Sequence, residues 1–260
     1  MVFAAGAAAD RDEAHMMQEP EKIPYRPEPL GRHSVVVLAP HADDEALGPG
    51  GSILQHVRGG DAVKIVIVTD DPAQPEERKR ECLEAAAKLG VKDVEFLGLK
   101  ERAHDAALYK KKFRAVFESA GPTLVYLPHA GELHPDHCAV SEAGLAAARG
   151  MKPPLWLAFY EVSAPLARVN RLVDITAEMT MKQNAVGCYK TQLAQNDYLN
   201  KICALNRYRS YTLGKEVIYA EAYFLARSDG KDFGPPPGWG LKKSPLSFIL
   251  SPRGRGKGEG

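Results

Sequence analysis

Cysteine is scarce in this chain: four in 260 residues, at Cys82, Cys138, Cys188 and Cys203, with no C-x-x-C pair among them. That density excludes a disulfide scaffold and reads as reduced thiols in a cytoplasm. Long apolar runs are missing too. The longest, such as Val35-Val36-Val37-Leu38 and Ile65-Val66-Ile67-Val68, fall far short of the ~18 residues a membrane-spanning helix needs. Met1 to Ala9 is small and apolar but lacks the basic flank of a secretory signal. Neither sign of charge is in excess: 34 Lys+Arg stand against 33 Asp+Glu, a net +1. There is thus no general electrostatic case for nucleic acid or an anionic membrane as partner. What remains is ordinary globular material, 45% hydrophobic and 26% charged, which excludes a wholly disordered chain.

The two ends differ from the middle. Residues 1–33 form a charged leader whose Pro20, Pro24, Pro27 and Pro29 forbid continuous helix, and it is expected to add little to a core. Residues 228–260 are rich in Gly and Pro and end Arg253-Gly-Arg255-Gly-Lys257-Gly, a basic tail by composition. Between them, short β-branched runs alternate with helix-forming stretches. Strands are expected at Ser34–Ala39, Val63–Thr69, Val94–Leu97, Leu124–Leu127, Leu155–Tyr160 and Val217–Leu225. Helices are expected at Glu76–Leu89, Ala106–Ser119, Pro135–Ala148, Thr176–Tyr189 and Asp197–Arg207, with Gly90 and Gly150 as stops. This cadence predicts an α/β fold, one Rossmann-like, doubly wound, mostly parallel sheet flanked by helices, spanning residues 34–227.

In such a sheet ligands bind beyond the carboxyl ends of the strands, so the residues that follow each strand carry the weight. After the first comes Pro40-His41-Ala42-Asp43-Asp44-Glu45, then Gly48-Pro49-Gly50-Gly51. After the fourth comes His129, then Glu132-Leu133-His134-Pro135-Asp136-His137. An imidazole and three carboxylates so close together are costly to bury unpaired. A divalent cation resolves that cost, and a nitrogen plus an oxygen donor suits zinc. Asp43 and Asp44 are neighbours whose side chains diverge, so one can bind metal while the other faces the reacting water. The competing reading is that Asp44 caps the next helix and the rest is solvated. The second cluster tips the balance: His134 and His137, three apart with Pro135 at a helix start, share one helical face on the same rim. His129 reads as a hydrogen-bonded structural residue and Cys138 as a core thiol, about 100° around the helix from its neighbour. Dinucleotide binding is disfavoured, because Ile53 stands where G-x-G-x-x-G needs its third glycine.

These residues resemble the LmbE-like, or PIG-L, family of zinc-dependent N-acetylglucosamine deacetylases. Pro40-His41-Ala42-Asp43-Asp44-Glu45 and the glycines after it match the family's first signature, and His134-Pro135-Asp136-His137 matches its second unchanged. Weaker marks agree: Arg78-x-x-Glu81, Lys182 with Tyr189-Lys190-Thr191-Gln192, and Tyr219-Ala220-Glu221. The resemblance implies zinc held by His41, Asp44 and His137, Asp43 as general base, His134 stabilising the developing oxyanion, and Arg78 helping to hold the sugar or its aglycone. It implies a hydrolase that removes acetyl from a GlcNAc-type amino sugar or its glycoside. The alternative is a non-catalytic sugar-binding or regulatory module on the same fold. Two departures stand out: Ala42 replaces the usual proline, and Lys100-Glu101-Arg102 follows the third strand where many members carry a sugar-contacting Asp. The pocket for the aglycone is expected from loops 98–106, 129–133 and 161–171.

Overall fold

A computed structural model describes residues 24–71 and 73–231; most of the leader and nearly all of the basic tail lie outside them. Seven strands form one sheet: β1 (Val35–Ala39), β2 (Val63–Asp70), β3 (Asp93–Lys100), β4 (Leu124–Pro128), β5 (Trp156–Tyr160), β6 (Arg171–Asp174) and β7 (Ala220–Arg227). Their order is β3-β2-β1-β4-β5-β7-β6. The first five are parallel, and β7 runs antiparallel to both β5 and β6. The sheet is therefore mostly parallel, as the alternation of elements predicts. The late strand anticipated at 217–225 lies next to last, between β5 and the edge strand β6, and β6 was not anticipated as a strand of its own.

The strands at the centre are apolar on both faces because helices cover both. Along β1, Val35, Val37 and Ala39 belong to one core layer and Val36 and Leu38 to the other. The first layer takes residues of α1 (Asp44–Leu47), α2 (Gly50–Gly59), α3 (Pro75–Leu89) and α6 (Met179–Val186), together with Ile202 further along the chain. The second layer takes α4 (Ala106–Ala120) and α5 (Pro135–Ala148). Two more helices, α7 (Lys190–Leu193) and α8 (Tyr198–Arg209), follow α6. The glycines after β1 permit a close approach rather than a phosphate contact. A Cβ on Gly48 would lie 2.4 Å from the Tyr160 ring, and one on Gly51 2.6 Å from Ile175.

Two expectations change. Residues 24–33 are pinned to the fold: Glu28 N donates to Leu172 O at 2.8 Å, Leu30 packs on the core and Thr212 Oγ1 donates to Pro24 O. The prolines exclude helix there, but an extended strand-flanking segment still finds backbone partners. The helix expected over 176–189 is shorter, since the chain turns before Met179 and breaks again at Gly187. No helix among the described residues is long and apolar enough to cross a membrane.

The strand order fixes where a ligand can enter. From β1 the chain steps outward to β2 and β3, then returns to lay β4 on the other side of β1. The loops after β1 and β4 therefore part in opposite directions and leave a crevice at the carboxyl end of the sheet. Both sequence clusters occupy that crevice.

Candidate metal centre

The β1 loop delivers its ligands through a distorted turn. Asp43 has φ 142°, a conformation that a residue with a side chain adopts only under strain. Its amide is held by Glu45 Oε2 at 3.1 Å, and Glu45 in turn accepts a hydrogen bond from the Tyr189 hydroxyl. The twist sends consecutive carboxylates apart. Asp44 turns back under the loop, where Oδ2 accepts the His41 amide at 2.9 Å and lies 3.3 Å from His41 Nδ1. The same oxygen lies 3.2 Å from His137 Nε2. Asp43 points away, with its Oδ2 3.6 Å from Arg78 Nη2.

The β4 loop delivers the second half. His134 caps α5: its Nδ1 accepts the Asp136 amide at 3.2 Å, and Pro135 opens the helix. His137, one turn on, comes beneath it. Ring nitrogens of His41, His134 and His137 lie within 4.8 Å of one another, so the residues proposed as ligands and the proposed oxyanion donor are all brought together. Two donors at ~2.0–2.1 Å from one tetrahedral ion stand roughly 3.3–3.4 Å apart. The spacings of Asp44 Oδ2 from His41 Nδ1 and His137 Nε2, 3.3 and 3.2 Å, fit that edge, and the N,N,O donor set suits zinc.

Two buried carboxylates orient the imidazoles from behind. Asp136 Oδ2 is 3.1 Å from His41 Nε2, while its Oδ1 accepts from the Arg102 amide at 2.9 Å and sits 2.7 Å from His104 Nε2. Glu132 Oε2 lies 3.7 Å from His137 Nδ1, a buried nitrogen with no closer partner. Carboxylates behind ligating histidines fix the tautomer and turn the free lone pair toward the ion.

The electrostatics match a site built for a cation. Burial alone would lower His41 and His137, but Asp136 and Asp44 hold His41 up at about 9, and Asp44 with Glu132 holds His137 at about 10. Burial would raise Asp44, yet the two imidazoles keep it well below the usual carboxylate range. For Asp43, burial and the neighbouring Asp44 charge prevail over Arg78 and push it up to about 7. His134 is lowered by burial and by the charges of His41 and His137.

Residues 36–148 match the family model described as GlcNAc-PI de-N-acetylase, PIG-L. That match spans both sequence clusters of the centre. It is 25% identical over 188 residues to a probable N-acetyl-alpha-D-glucosaminyl L-malate deacetylase 2 of Bacillus cereus, covering 63% of this chain and 84% of that one. Among solved structures it is similar to the conserved protein TT1542 of Thermus thermophilus, 28% identical at TM-score 0.65 over 73% of this chain and 93% of that one. It also shares the fold of N,N'-diacetylchitobiose deacetylase from Pyrococcus horikoshii, 21% identical at TM-score 0.65 over 84% and 90% of the two chains.

The weaker marks on which the sequence resemblance also rests act as braces. Lys182, fully buried, bonds Glu221 at 2.7 Å and Gly48 O at 2.8 Å. Glu221 also caps the start of α2 through the amides of Gly51 and Ser52. Glu81 accepts from Thr191 N and Oγ1 and so ties α3 to α7. His129 is structural as expected, with Nε2 2.7 Å from Ala164 O. Cys138 turns back to the carbonyls of Ala130 and Glu132.

A cleft of about 270 Å³ opens over the centre, lined by Asp71, Glu101, Val162, Ser163, Gln192 and Tyr198 besides the residues above. Loops 98–106 and 161–171 do contribute to it, through Glu101 and through Val162 and Ser163. Segment 129–133 does not line it; Glu132 there is spent behind His137. Sequence reasoning missed Asp136 and Glu132 as orienting groups, although a carboxylate beside a metal-type histidine was the available signal. It also missed Asp71, Gln192 and Tyr198, which come from the end of β2 and from the α7–α8 region and reach the cleft only through tertiary packing.

Proposed function

We propose that this chain is a zinc-dependent deacetylase that removes the N-acetyl group from a GlcNAc-type amino sugar or its glycoside. One observation carries this reading. Two loops far apart in sequence bring His41, Asp44 and His137 around one point, while the adjacent Asp43 is left out of that cluster and held near neutral pKa. His41 Nδ1, Asp44 Oδ2 and His137 Nε2 would hold the ion. When bound, zinc supplies an acidified water, from ~15.7 to ~7, and polarises the amide carbonyl.

Asp43 takes the proton of the attacking water and returns it to the departing amine, a role that needs a pKa near the working pH. His134 uses Nδ1 as an acceptor for the Asp136 amide, which leaves the proton on Nε2. With its pKa lowered by burial and by the charges of His41 and His137 it is a neutral donor, and it offers that proton to the amide oxygen as charge builds. Losing such a donor costs ~10²–10³ in turnover. Arg78 holds the sugar or its aglycone at the edge of the cleft. The names of the relatives support the substrate class, since both the Bacillus cereus and Pyrococcus horikoshii proteins are named for N-acetylated glucosamine compounds. A sugar-binding module without turnover has no use for a strained, unligated carboxylate beside the metal ligands.

The test is metal analysis with acetate release. Purified chain should carry about one zinc and liberate acetate from N-acetylglucosaminides. The Asp43→Asn variant should keep the zinc and lose turnover by about 10²–10⁴. Full zinc loading with no acetate from a broad panel of such glycosides would overturn the reaction assignment.

A further inference from the structure

Glu132 holds more than the back of His137. Its carboxylate accepts three consecutive amides of the loop after β5: Val162 N reaches Oε1 at 2.7 Å, and Ser163 N and Ala164 N reach Oε2 at 3.0 and 3.2 Å. The Ser163 hydroxyl donates to the same Oε2 at 2.5 Å. So many donors on one carboxyl group mean that it is ionised. Val162 and Ser163 line the cleft over the proposed metal ligands, so a buried residue of the β4 loop carries part of the cleft wall. The far half of that wall is tied elsewhere. Leu166 N donates to Glu161, and Arg209 Nη2 donates to Leu166 O at 3.0 Å.

The two outer carboxylates stand differently toward their histidines. Asp136 meets His41 Nε2 at 3.1 Å. Glu132 Oε2 is 3.7 Å from His137 Nδ1, beyond hydrogen-bond reach, and that nitrogen is buried with no partner. The other nitrogen of the ring, Nε2, faces Asp44 Oδ2 at 3.2 Å. An imidazole that gives its Nε2 lone pair to a cation keeps its proton on Nδ1, and a buried proton there needs an acceptor. Glu132 can serve after an approach of less than about 1 Å. It cannot make that approach without the amides bonded to it.

We propose that Glu132 is a positioning residue that links cation binding to the cleft wall: a cation held at His137 and Asp44 closes the hydrogen bond from His137 Nδ1 to Glu132 and thereby fixes segment 162–164. The link is reciprocal, because a wall that holds Glu132 in place keeps ready the acceptor that His137 needs. A carboxylate that only packed the loop would hold the three amides equally well with the cation and without it. This inference rests on the zinc-binding part of the proposed function and adds to it a control over the shape of the cleft.

Residue-resolved hydrogen exchange on the full chain, with and without added zinc, reads the link. Zinc should slow exchange at Val162, Ser163 and Ala164 by about fivefold or more, while Leu166, tied to Glu161, should not respond. In Glu132→Gln the amide end of the side chain meets either the loop amides or the His137 N–H, donor against donor. The zinc-dependent slowing should then vanish, although zinc still binds, about 10–100-fold more weakly. Ser163→Ala removes one bond to Glu132 at an exposed position outside the proposed ligand set. By the same linkage it should weaken zinc binding by about fivefold or more in a chelator competition. Circular dichroism checks the fold of each variant, and if Glu132→Gln does not fold, the parent exchange and the Ser163→Ala affinity decide. Full zinc loading with unchanged exchange at 162–164, slowing that persists in Glu132→Gln, or zinc affinity unchanged or stronger in Ser163→Ala overturns the proposal and leaves the deacetylase reading intact. A chain that binds no zinc removes the metal centre, and this proposal with it.

Discussion

Asp136→Asn tests the proposed metal centre through a residue outside the proposed ligand set. Asp136 uses its two oxygens on opposite sides. Oδ2 accepts the proton of His41 Nε2 at 3.1 Å, which leaves the lone pair on Nδ1, 3.3 Å from Asp44. Oδ1 accepts the Arg102 amide at 2.9 Å and faces His104 at 2.7 Å. An asparagine has one acceptor and one donor end, so it cannot serve both sides. With its oxygen toward His41, its NH₂ meets the Arg102 N–H, donor against donor in a buried place. Flipped, the NH₂ draws the lone pair of His41 to Nε2 and puts the ring proton on Nδ1, where the metal should sit. Either arrangement also removes a buried negative charge that helps to hold His41 up at about 9. Outer carboxylates of this kind are worth about 10–100-fold in metal affinity, or roughly 1.4–2.8 kcal/mol at about 1.4 per decade. Zinc competition against a chromophoric chelator reads this directly, with circular dichroism as the check that the fold persists. A folded Asp136→Asn chain that binds zinc within twofold of the parent would refute the tautomer reasoning.

The other predictions use the same structure at other points. With His41 held at about 9 and His137 at about 10, both imidazoles carry protons at pH 7.5 in the metal-free chain and must lose them to bind. Zinc affinity should therefore climb with pH up to about 10, by as much as ~100-fold per unit below about 9 where two protons are displaced, and a pH-independent chelator competition would contradict this. Glu221→Gln leaves the fully buried Lys182 without its counter-charge, at about 3–5 kcal/mol. At about 2–4 °C per kcal/mol for a domain this size, melting should fall by roughly 6–20 °C, and a shift under 2 °C would sink the point. His56, buried between Asp61 and the Tyr126 hydroxyl, has its pKa lowered from 6.5 by burial, against the pull of Asp61. The unfolded chain takes up that proton first, so the His56 contribution is complete above pH 6.5 and erodes as pH falls below it. Denaturant titrations of His56→Gln should show a flatter stability profile between pH 7 and 5 than the parent.

The parts legible in the sequence are those set by local pattern. β1 and β4 are five-residue apolar runs buried throughout, and such runs read as central parallel strands without tertiary information. Each is followed at once by its chemistry, so the rule that ligands collect at carboxyl ends was enough to bring His41, Asp44, His134 and His137 to one rim. Gly90 stops α3 in the left-handed conformation, as its place in the sequence implied. Less legible were features that depend on distant partners. β6 is only four residues, Arg171–Asp174, and exists because β7 returns antiparallel beside it. Gln192 and Tyr198 reach the cleft because α6 packs against α1 and α3 and the chain after it is tied there, with Tyr189 reaching Glu45 and Thr191 reaching Glu81. No spacing in the sequence carries that information. The positive φ of Asp43 is likewise invisible, since nothing in the residue type announces it.

That strained residue explains how two adjacent aspartates can hold different roles. In a regular helix or strand, neighbours at i and i+1 point apart by a fixed angle and see related surroundings, and their charges would then compete. Here a φ of 142° at Asp43 rotates one carboxylate under Arg78 and leaves the other between two imidazoles. The surroundings then drive the two pKa values apart, Asp44 well below the usual range and Asp43 up to about 7. A glycine at 43 would relieve the strain and delete the group the turn exists to aim. Strain of this kind, about 1–3 kcal/mol, persists only where the structure around it is over-determined. The supports are the Glu45 carboxylate on the Asp43 amide, Tyr189 on Glu45, and Arg78 on the Ala42 carbonyl. Glu45, Arg78 and Tyr189 thus belong to one device: they turn a pair of identical side chains into one that stays ionised between two imidazoles and one whose pKa falls near neutral pH.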